Sequence, residues 1–248
     1  MRLDLFLFEN GLASSRTEAK SFITEGAVRI KGEHVTKPSY SVEGISIDDV
    51  SIDRSVKPYV SRGGIKLLSA LEAFSVDPRG RFAIDIGASS GGFTDCLLQH
   101  GASGVLAVDS GSGQLVDSLR TDPRVTVYEN YNARYMKHFD FPYVPSLAVM
   151  DVSFISARMI IPSVYDVLAE GGDYLLLIKP QFEVGRAGLG KNGIVKDDKQ
   201  RNAAVDGVIE VARSVGFSFC GLIKSPILGG DGNVEFLAHF KKERQSDV

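Results

Sequence analysis

The sequence predicts an α/β protein in which a smaller N-terminal block of helices and strands precedes a doubly wound, mostly parallel sheet. Two observations favour this fold class. From about residue 81 onward, apolar runs of strand length alternate with helical stretches, which is typical of a parallel sheet covered on both faces. The first 53 residues show two short helical patterns followed by short strands. With 248 residues, 44% of them hydrophobic, the chain can bury a core without disulfides or metals.

The N-terminal block begins with two predicted helices. Apolar residues within 3–12 recur near helical spacing, and residues 15–18 read Ser-Arg-Thr-Glu, a capping box that opens a second helix. Gly26 is expected to end that helix. Residues 28–35 predict a hairpin that turns at a Lys-Gly pair, and further short strands are expected within 45–52. We expect this small α+β domain to span residues 1–56.

A basic joint connects the block to the rest of the chain. Between residues 54 and 71 there are four basic residues and no acid, and Pro58 favours extended backbone just before it. We therefore expect a stiff linker over 57–61, a second domain over 62–248, and phosphate contacts near the joint. The basic residues are Arg54, Lys57, Arg62 and Lys66.

The second domain is predicted to contain seven strands with helices between most of them. The longest helix is expected from about Asp198 to Val215. The predicted strands are Phe82–Ile86, Gly104–Asp109, Val125–Tyr128, Ser146–Asp151, Asp173–Lys179, Phe217–Ile223 and Val234–Phe240.

Composition and charge exclude several classes of protein. The net charge of −3 gives no whole-chain positive field for nucleic acid. Apolar runs such as 174–178 are far shorter than the roughly 20 residues that span a bilayer. The N-terminus does not read as a secretory signal. Cys96 and Cys220 lack disulfide or metal-ligand spacing, and we expect both in the core. A reduced, cytoplasmic compartment and no bound metal are therefore expected.

A glycine-rich loop carries the first chemical signal. Residues 84–95 join a predicted strand to a predicted helix, and glycines there let the backbone approach a ligand closely. A dinucleotide fold would place a glycine where Ser89 stands. The opening Asp85-Ile-Gly87 instead resembles the first motif of S-adenosylmethionine-dependent methyltransferases. Asp109, 24 residues beyond Asp85, ends the second strand, where a carboxylate accepts both ribose hydroxyls of an adenosine. A helix cap is the simpler role for Asp109.

The second signal is a set of four charged residues expected at one sheet edge. Lys66 precedes the first strand, Asp151 ends the fourth, Lys179 ends the fifth and Glu235 begins the last. Two lysines and two acids suit deprotonation of a hydroxyl, because a second ammonium group and partial burial favour a neutral amine as base. The spacing alone fits equally well with two ordinary ion pairs at strand ends.

Longer motifs add a family resemblance. Residues 2–38, with a Ser-Arg pair at 15–16 and the Gly-x-Val-x-Ile-x-Gly hairpin, resemble the RNA-binding domain named after ribosomal protein S-four. Segments 61–67, 151–156, 177–185 and 232–235 are similar to the TlyA (hemolysin A-like) ribosomal RNA methyltransferases, and the likeness covers nearly the whole chain.

The resemblance implies a Rossmann-like methyltransferase sheet with an antiparallel last strand, and methyl transfer from S-adenosylmethionine to a ribose 2′-hydroxyl of cytidine in ribosomal RNA. It makes Lys179 the base and Lys66, Asp151 and Glu235 its supports. The implied cofactor-binding residues are Asp85, Gly87, Ser89, Ser90, Gly91, Gly92, Phe93, Asp109 and Asn132, with Asn132 beside the adenine. The implied RNA-binding residues are Arg2, Arg16, Lys37, Arg62 and Arg134.

Departures from the family and alternative functions stay open. Tyr59 stands in the linker where a tryptophan is expected, and Ser112 replaces an aromatic residue. An adenine amino-methyltransferase would show Asn/Asp-Pro-Pro-Tyr/Phe in place of Asp-Val-Ser-Phe at 151–154, and a carbon-five cytosine enzyme would need a nucleophilic cysteine. The remaining alternatives are a membrane-active hemolysin, and an RNA-binding ribosome-assembly factor with a vestigial methyltransferase site.

Overall fold

The N-terminal domain is built from two helices and a small antiparallel sheet. The computed structural model describes residues 1–24, 26–53, 59–185, 188–190, 193–229 and 232–244. The first elements are α1 (Leu3–Glu9), α2 (Arg16–Thr24), β1 (Val28–Ile30), β2 (Glu33–His34) and β3 (Val50–Ile52), with the strand order β2-β1-β3. Leu3, Leu7, Ala19, Ile23 and Val28 are buried between the helices and the sheet.

Local hydrogen bonding confirms most of the predicted N-terminal elements and corrects two details. Lys31 and Gly32 both have positive φ, 51° and 85°, which fits the tight turn of the predicted hairpin. Ser15 Oγ caps α2 by accepting from Glu18 N at 3.1 Å, but the Glu18 carboxylate accepts from Ser14 N rather than from Ser15. Of the further short strands expected within 45–52, one forms, β3, and a 3₁₀ turn at Ile47–Asp49 precedes it.

The larger domain has the predicted doubly wound fold. The elements are α3 (Gly63–Ala73), β4 (Phe82–Ile86), α4 (Gly92–Gln99), β5 (Gly104–Val108), α5 (Asp117–Arg120), β6 (Val125–Tyr128), β7 (Leu147–Met150), α6 (Ile161–Val167), β8 (Asp173–Ile178), α7 (Asp198–Val215), β9 (Phe217–Lys224) and β10 (Phe236–Lys242). The bounds of the strands differ from the prediction by at most two residues. The sheet order is β6-β5-β4-β7-β8-β10-β9, in which β6, β5, β4, β7 and β8 are parallel and β10 is antiparallel to both of its neighbours.

Apolar side chains cover both faces of this sheet. On one face, Ile161 and Val208 of α6 and α7 pack against the strands. On the other face, Leu67 and Leu97 of α3 and α4 do so. All four residues of β7, Leu147–Met150, are buried, as expected for a central parallel strand. The carboxyl ends of β4, β5, β7 and β8 therefore meet at one edge, where ligands bind in open α/β sheets.

The two cysteines lie in different environments. Cys96 is buried on α4, as expected, but Cys220 is exposed on β9, because β9 is the edge strand of the sheet.

Residues 54–58 lie outside the described part of the chain, so the proposed boundaries at 56 and 57 stay predictions. Val60 N donates to the Asp95 carboxylate on α4 at 2.9 Å, which holds the end of the linker against the larger domain. Within the described ranges, no helix combines the length and apolar character needed to cross a membrane.

Candidate active site

The glycine loop lies directly against the end of a neighbouring strand. It joins β4 to α4, and Gly87 and Gly91 have φ of +85° and +99°, a region that favours glycine. A Cβ atom on Gly87 would clash with the backbone oxygen of Asp151, whereas one on Gly91 would press on the end of the Leu119 side chain, which can move. The absence of a side chain at Gly87 therefore lets the loop close over the end of β7.

Asp85 lies beneath this loop in a fully buried position. Thr94 Oγ1 donates to its Oδ2 at 2.7 Å, whereas Oδ1 has no hydrogen-bond partner among the described residues. Burial raises the pKa of this carboxyl to about 7, and the charges of Asp151 and Asp109 add to the effect. An unpaired, buried carboxylate oxygen is costly unless a donor or a cation meets it.

Asp109 is held rigidly where β5 ends. Its Oδ2 accepts from Ser89 N at 2.8 Å and its Oδ1 accepts from Gly111 N at 2.7 Å. Beside it is a cavity of about 440 Å³, called here the Asp109 cavity. Its lining includes Gly87, Ser89, Asp109, Asn132, Asp151 and Phe154.

A second cavity of about 270 Å³ adjoins the first and is called here the lysine cavity. Gly87, Ser89, Asp151 and Ser153 line both cavities, so ligands in the two would meet there. The lysine cavity is also lined by Arg62, Lys66, Ser90, Gly92, Phe93 and Lys179. Of the predicted cofactor residues, Asp85 and Gly91 line neither cavity, since Asp85 is buried beneath the loop and Gly91 lies where the loop turns into α4.

The four charged residues of the predicted set come together as two ion pairs. Lys66 Nζ donates to Glu235 Oε2 at 2.6 Å, with both side chains buried. Lys179 Nζ lies 2.5 Å from Asp151 Oδ1. Gln181 Nε2 donates to the other Glu235 oxygen at 3.1 Å. Three of the four residues line the lysine cavity, namely Lys66, Asp151 and Lys179. Glu235 does not line it but is paired with Lys66. Their catalytic roles stay predictions.

The sequence did not indicate a role for two polar residues of the site, Ser153 and Glu183, although both lie in segments that resemble the TlyA family. Ser153 Oγ accepts from Lys179 Nζ at 2.9 Å. Glu183, buried after β8, accepts from Ser156 Oγ at 2.6 Å and Ala157 N at 2.7 Å, and it pairs with Arg158 at 3.3 Å. Glu183 therefore ties the loop after β8 to the loop after β7. Residue spacing does not reveal such contacts, because they depend on how the two loops pack.

The predicted RNA-binding residues fall in two places. Arg2 and Arg16 each lie 2.9 Å from the buried Asp4 carboxylate, with about half of each arginine side chain exposed. The hydrogen bond from Arg2 is the main cause that lowers the pKa of Asp4 to about 2. Lys37 is exposed, and the backbone oxygen of the next residue, Pro38, accepts from Asp4 N, so this segment runs beside the start of α1.

The other two cations lie at the cavities. Arg62 is exposed at the start of α3 on the wall of the lysine cavity. Arg134 Nε donates to Asn132 Oδ1 at 3.2 Å beside the Asp109 cavity. In the parts of the chain that the structure describes, no group of three or more His, Cys, Asp or Glu residues could hold a metal ion.

Comparison with known proteins places this site in a family. The FtsJ-like methyltransferase family matches residues 59–242, and the S4 domain matches residues 1–44. The chain therefore belongs to the FtsJ-like methyltransferase family and carries an S4 domain at its N-terminus.

Individual relatives of the chain confirm its resemblance to the TlyA proteins. The chain is 45% identical to "Putative rRNA methyltransferase YqxC" of Bacillus subtilis over 96% of this chain and 84% of that protein. It is 42% identical to "16S/23S rRNA (cytidine-2'-O)-methyltransferase TlyA" of Mycobacterium tuberculosis, over 95% and 87% of the two chains. A solved structure, "Putative hemolysin from Streptococcus thermophilus", has a TM-score of 0.73 and 43% identity over 100% of this chain and 91% of that one.

Proposed function

We propose that this protein transfers the methyl group of S-adenosylmethionine to the 2′-hydroxyl of a ribose in ribosomal RNA, with cytidine as the target nucleotide. The observation that carries the proposal is the pair of lysine–carboxylate contacts, Lys66–Glu235 and Lys179–Asp151, beside the glycine loop. The printed name of the M. tuberculosis relative supports the target. A set of two lysines and two acids suits a hydroxyl acceptor rather than a base amino group.

The residues around the Asp109 cavity fit S-adenosylmethionine. Asp85 lines neither cavity, but its buried carboxylate, whose Oδ1 has no hydrogen-bond partner among the described residues, lies beneath the loop and would attract the cationic amino group of that cofactor. Each oxygen of Asp109 accepts one backbone N–H and keeps a lone pair for a ribose hydroxyl. Asn132 on the cavity wall would border the adenine. Bound at this site, the cofactor would supply an electrophilic methyl group on a positively charged sulfur.

The remaining loop residues are proposed to hold the amino-acid end of the cofactor. Ser90, Gly92 and Phe93 line the lysine cavity next to the loop. Gly91 allows the turn into α4, whose N-terminus favours a negatively charged carboxylate.

Lys179 is the proposed general base. As a neutral amine it would take the proton of the 2′-hydroxyl while the oxygen forms its bond to the methyl carbon and the carbon–sulfur bond breaks. Asp151, 2.5 Å from Nζ, holds the amine in place and stabilises the ammonium group that forms. Lys66, fixed by Glu235, also lines the lysine cavity and would donate a hydrogen bond to the ribose oxygen.

RNA is proposed to contact the N-terminal domain and the cavity mouth together. Arg2, Arg16 and Lys37 lie in the N-terminal domain, and Arg62 and Arg134 lie at the cavities, so phosphates can be held on both sides of the target nucleotide. A ribosomal substrate fits a cytoplasmic protein. No metal is required by this proposal, because the lysine amine performs the proton transfer. The proposed organisation is an RNA-binding domain at 1–56, a linker at 57–61 and the methyltransferase domain at 62–248.

The test is transfer of tritium from labelled S-adenosylmethionine to isolated ribosomal subunits, followed by mapping of the labelled nucleotide. We expect label on a ribose, detected as resistance of the following phosphodiester to alkaline hydrolysis. Label on an adenine amino group or on carbon five of cytosine would overturn the proposal. Subunit binding without transfer would favour a ribosome-assembly factor, and lysis of red cells without transfer would favour a hemolysin.

A further inference from the structure

We propose that Ser153 is a positioning residue that aims the nitrogen of Lys179 at the reacting hydroxyl. This inference rests on the proposed function, in which Lys179 is the base. Ser153 follows β7 by three residues and lines both the Asp109 cavity and the lysine cavity. It therefore lies where the cofactor and the target ribose would meet.

Lys179 Nζ makes a different kind of contact with each of Ser153, Asp151 and Phe182. Among the described residues, Ser153 Oγ at 2.9 Å is the acceptor of a directed hydrogen bond from Nζ. Asp151 Oδ1 is closer, at 2.5 Å, but it lies outside the angular range of a hydrogen bond. The ring of Phe182 lies on a further side, with its centroid 5.9 Å from Nζ. Asp151 thus attracts the nitrogen by charge, whereas Ser153 fixes its rotation.

Orientation matters because a neutral amine has two N–H bonds and one lone pair. Rotation about the Cε–Nζ bond decides which of the three faces the substrate. With one N–H donated to Ser153 and the second attracted by the charge of Asp151, the remaining tetrahedral position of Nζ holds the lone pair. Lys179 and Lys66 both line the lysine cavity, so a ribose hydroxyl bound in that cavity would meet the lone pair. Small errors in such alignment cost about 10²-fold in rate.

The experiment compares wild type with Ser153→Ala and Ser153→Thr in single-turnover methylation of ribosomal subunits at saturating cofactor. We expect Ser153→Ala to lower the rate constant by about 10- to 100-fold, with Kd for cofactor and RNA within about twofold of wild type. Ser153→Thr keeps the hydroxyl and should recover most of the rate. Ser103→Ala, an exposed serine before β5 at the other sheet edge, is the matched control.

Two results would overturn the inference. One is a Ser153→Ala rate within twofold of wild type, and the other is a Ser153→Thr rate no higher than that of Ser153→Ala, since the hydroxyl would then be irrelevant. Lys179→Ala is measured in parallel. If Lys179→Ala is inactive while Ser153→Ala is normal, only the role of Ser153 fails. If Lys179→Ala is active, the proposed base itself is wrong.

Discussion

Lys66 and Glu235 form an ion pair between side chains that are 10% and 2% exposed, with Nζ 2.6 Å from Oε2. The two residues are 169 positions apart in the chain. Lys66 lies on α3, near the linker, and Glu235 immediately precedes β10. The pair therefore joins the entrance of the larger domain to its last strand, and it does so beside the proposed reaction site.

Removing one partner of this pair should destabilise the fold. Glu235→Ala leaves the Lys66 ammonium buried without its carboxylate, and breaking a buried pair in this way costs about 3–5 kcal/mol of unfolding free energy. Urea unfolding followed by circular dichroism measures the loss.

The control is the double variant Lys66→Met/Glu235→Leu, which removes both charges. Apolar replacements of a buried pair are often neutral or stabilising, so we expect the double variant to recover most of the lost stability. It should not transfer methyl groups, because it lacks Lys66. Wild-type stability of Glu235→Ala would show that the pair contributes little to the fold.

Lys179→Ala should abolish methyl transfer while cofactor and RNA still bind. Loss of a general base costs about 10²–10⁴-fold in rate, and lost alignment adds to that. Lys179→Arg should fail as well, because a guanidinium group stays protonated and cannot accept the proton. Single-turnover assays, with binding measured separately by calorimetry, test both variants.

Lys199→Ala is the matched control for Lys179. Lys199 is exposed near the start of α7, away from both cavities, so this variant should turn over normally. Near-wild-type turnover of Lys179→Ala would place the base elsewhere and contradict the assignment of the four residues.

The sequence predicts the larger domain closely because its local signals agree with one another. Gly87 and Gly91 mark the loop, and the apolar runs mark β4 to β10. The topology then brings Asp151, Lys179 and Glu235 to one edge. This placement follows from strand direction, because the carboxyl ends of the parallel strands β7 and β8 and the start of the antiparallel strand β10 lie at the same edge of the sheet.

The contacts between the side chains at this edge are harder to predict than the edge itself. The strand order predicts that Asp151 and Lys179 face each other, because β7 and β8 are neighbours. Sequence spacing does not say that Lys66 pairs with Glu235, because that contact depends on the angle at which α3 meets the sheet. The hydrogen bond of Ser153 depends on the packing of two loops. In the N-terminal domain, Asp4 reads as an ordinary helix residue, yet it is buried and paired with Arg2 and Arg16.

Arg16 and Arg62 should both contribute to RNA binding. The double variant Arg16→Ala/Arg62→Ala should weaken binding to ribosomal RNA and reduce the salt dependence of log K by about 1 for each residue removed. The fold should persist because Arg2 still pairs with Asp4. Filter binding at several salt concentrations measures the slope, and cofactor affinity should not change.

The control for RNA binding is Arg79→Ala/Arg213→Ala, which removes the same charge from two solvent-facing arginines outside the proposed surface. It should leave the salt slope close to that of wild type. Equal slopes for the two double variants would show that the cationic surface is wrongly placed.

The buried carboxyl of Asp85 predicts a pH dependence of stability and of cofactor binding. Burial raises its pKa to about 7 in the folded protein, from an ordinary value of 3.8 in the unfolded chain. Between about pH 4 and pH 7 the folded state therefore holds a proton that the unfolded state has released, so stability falls as pH rises across this window. Above pH 7 both states are ionised and this contribution no longer changes.

Asp85→Asn removes that slope, because an amide does not titrate. From pH 4 to pH 7, wild type should lose unfolding free energy relative to Asp85→Asn, measured by urea titration at steps of one pH unit. Asp206→Asn, which changes an exposed acid on α7, is the control and should follow wild type. A difference in unfolding free energy between wild type and Asp85→Asn that stays constant over this range would contradict the raised pKa.

In wild type, S-adenosylmethionine should also bind more weakly as pH falls below 7, because a protonated Asp85 no longer attracts the amino group of the cofactor. Calorimetry at pH 6 and pH 8 measures that change in affinity.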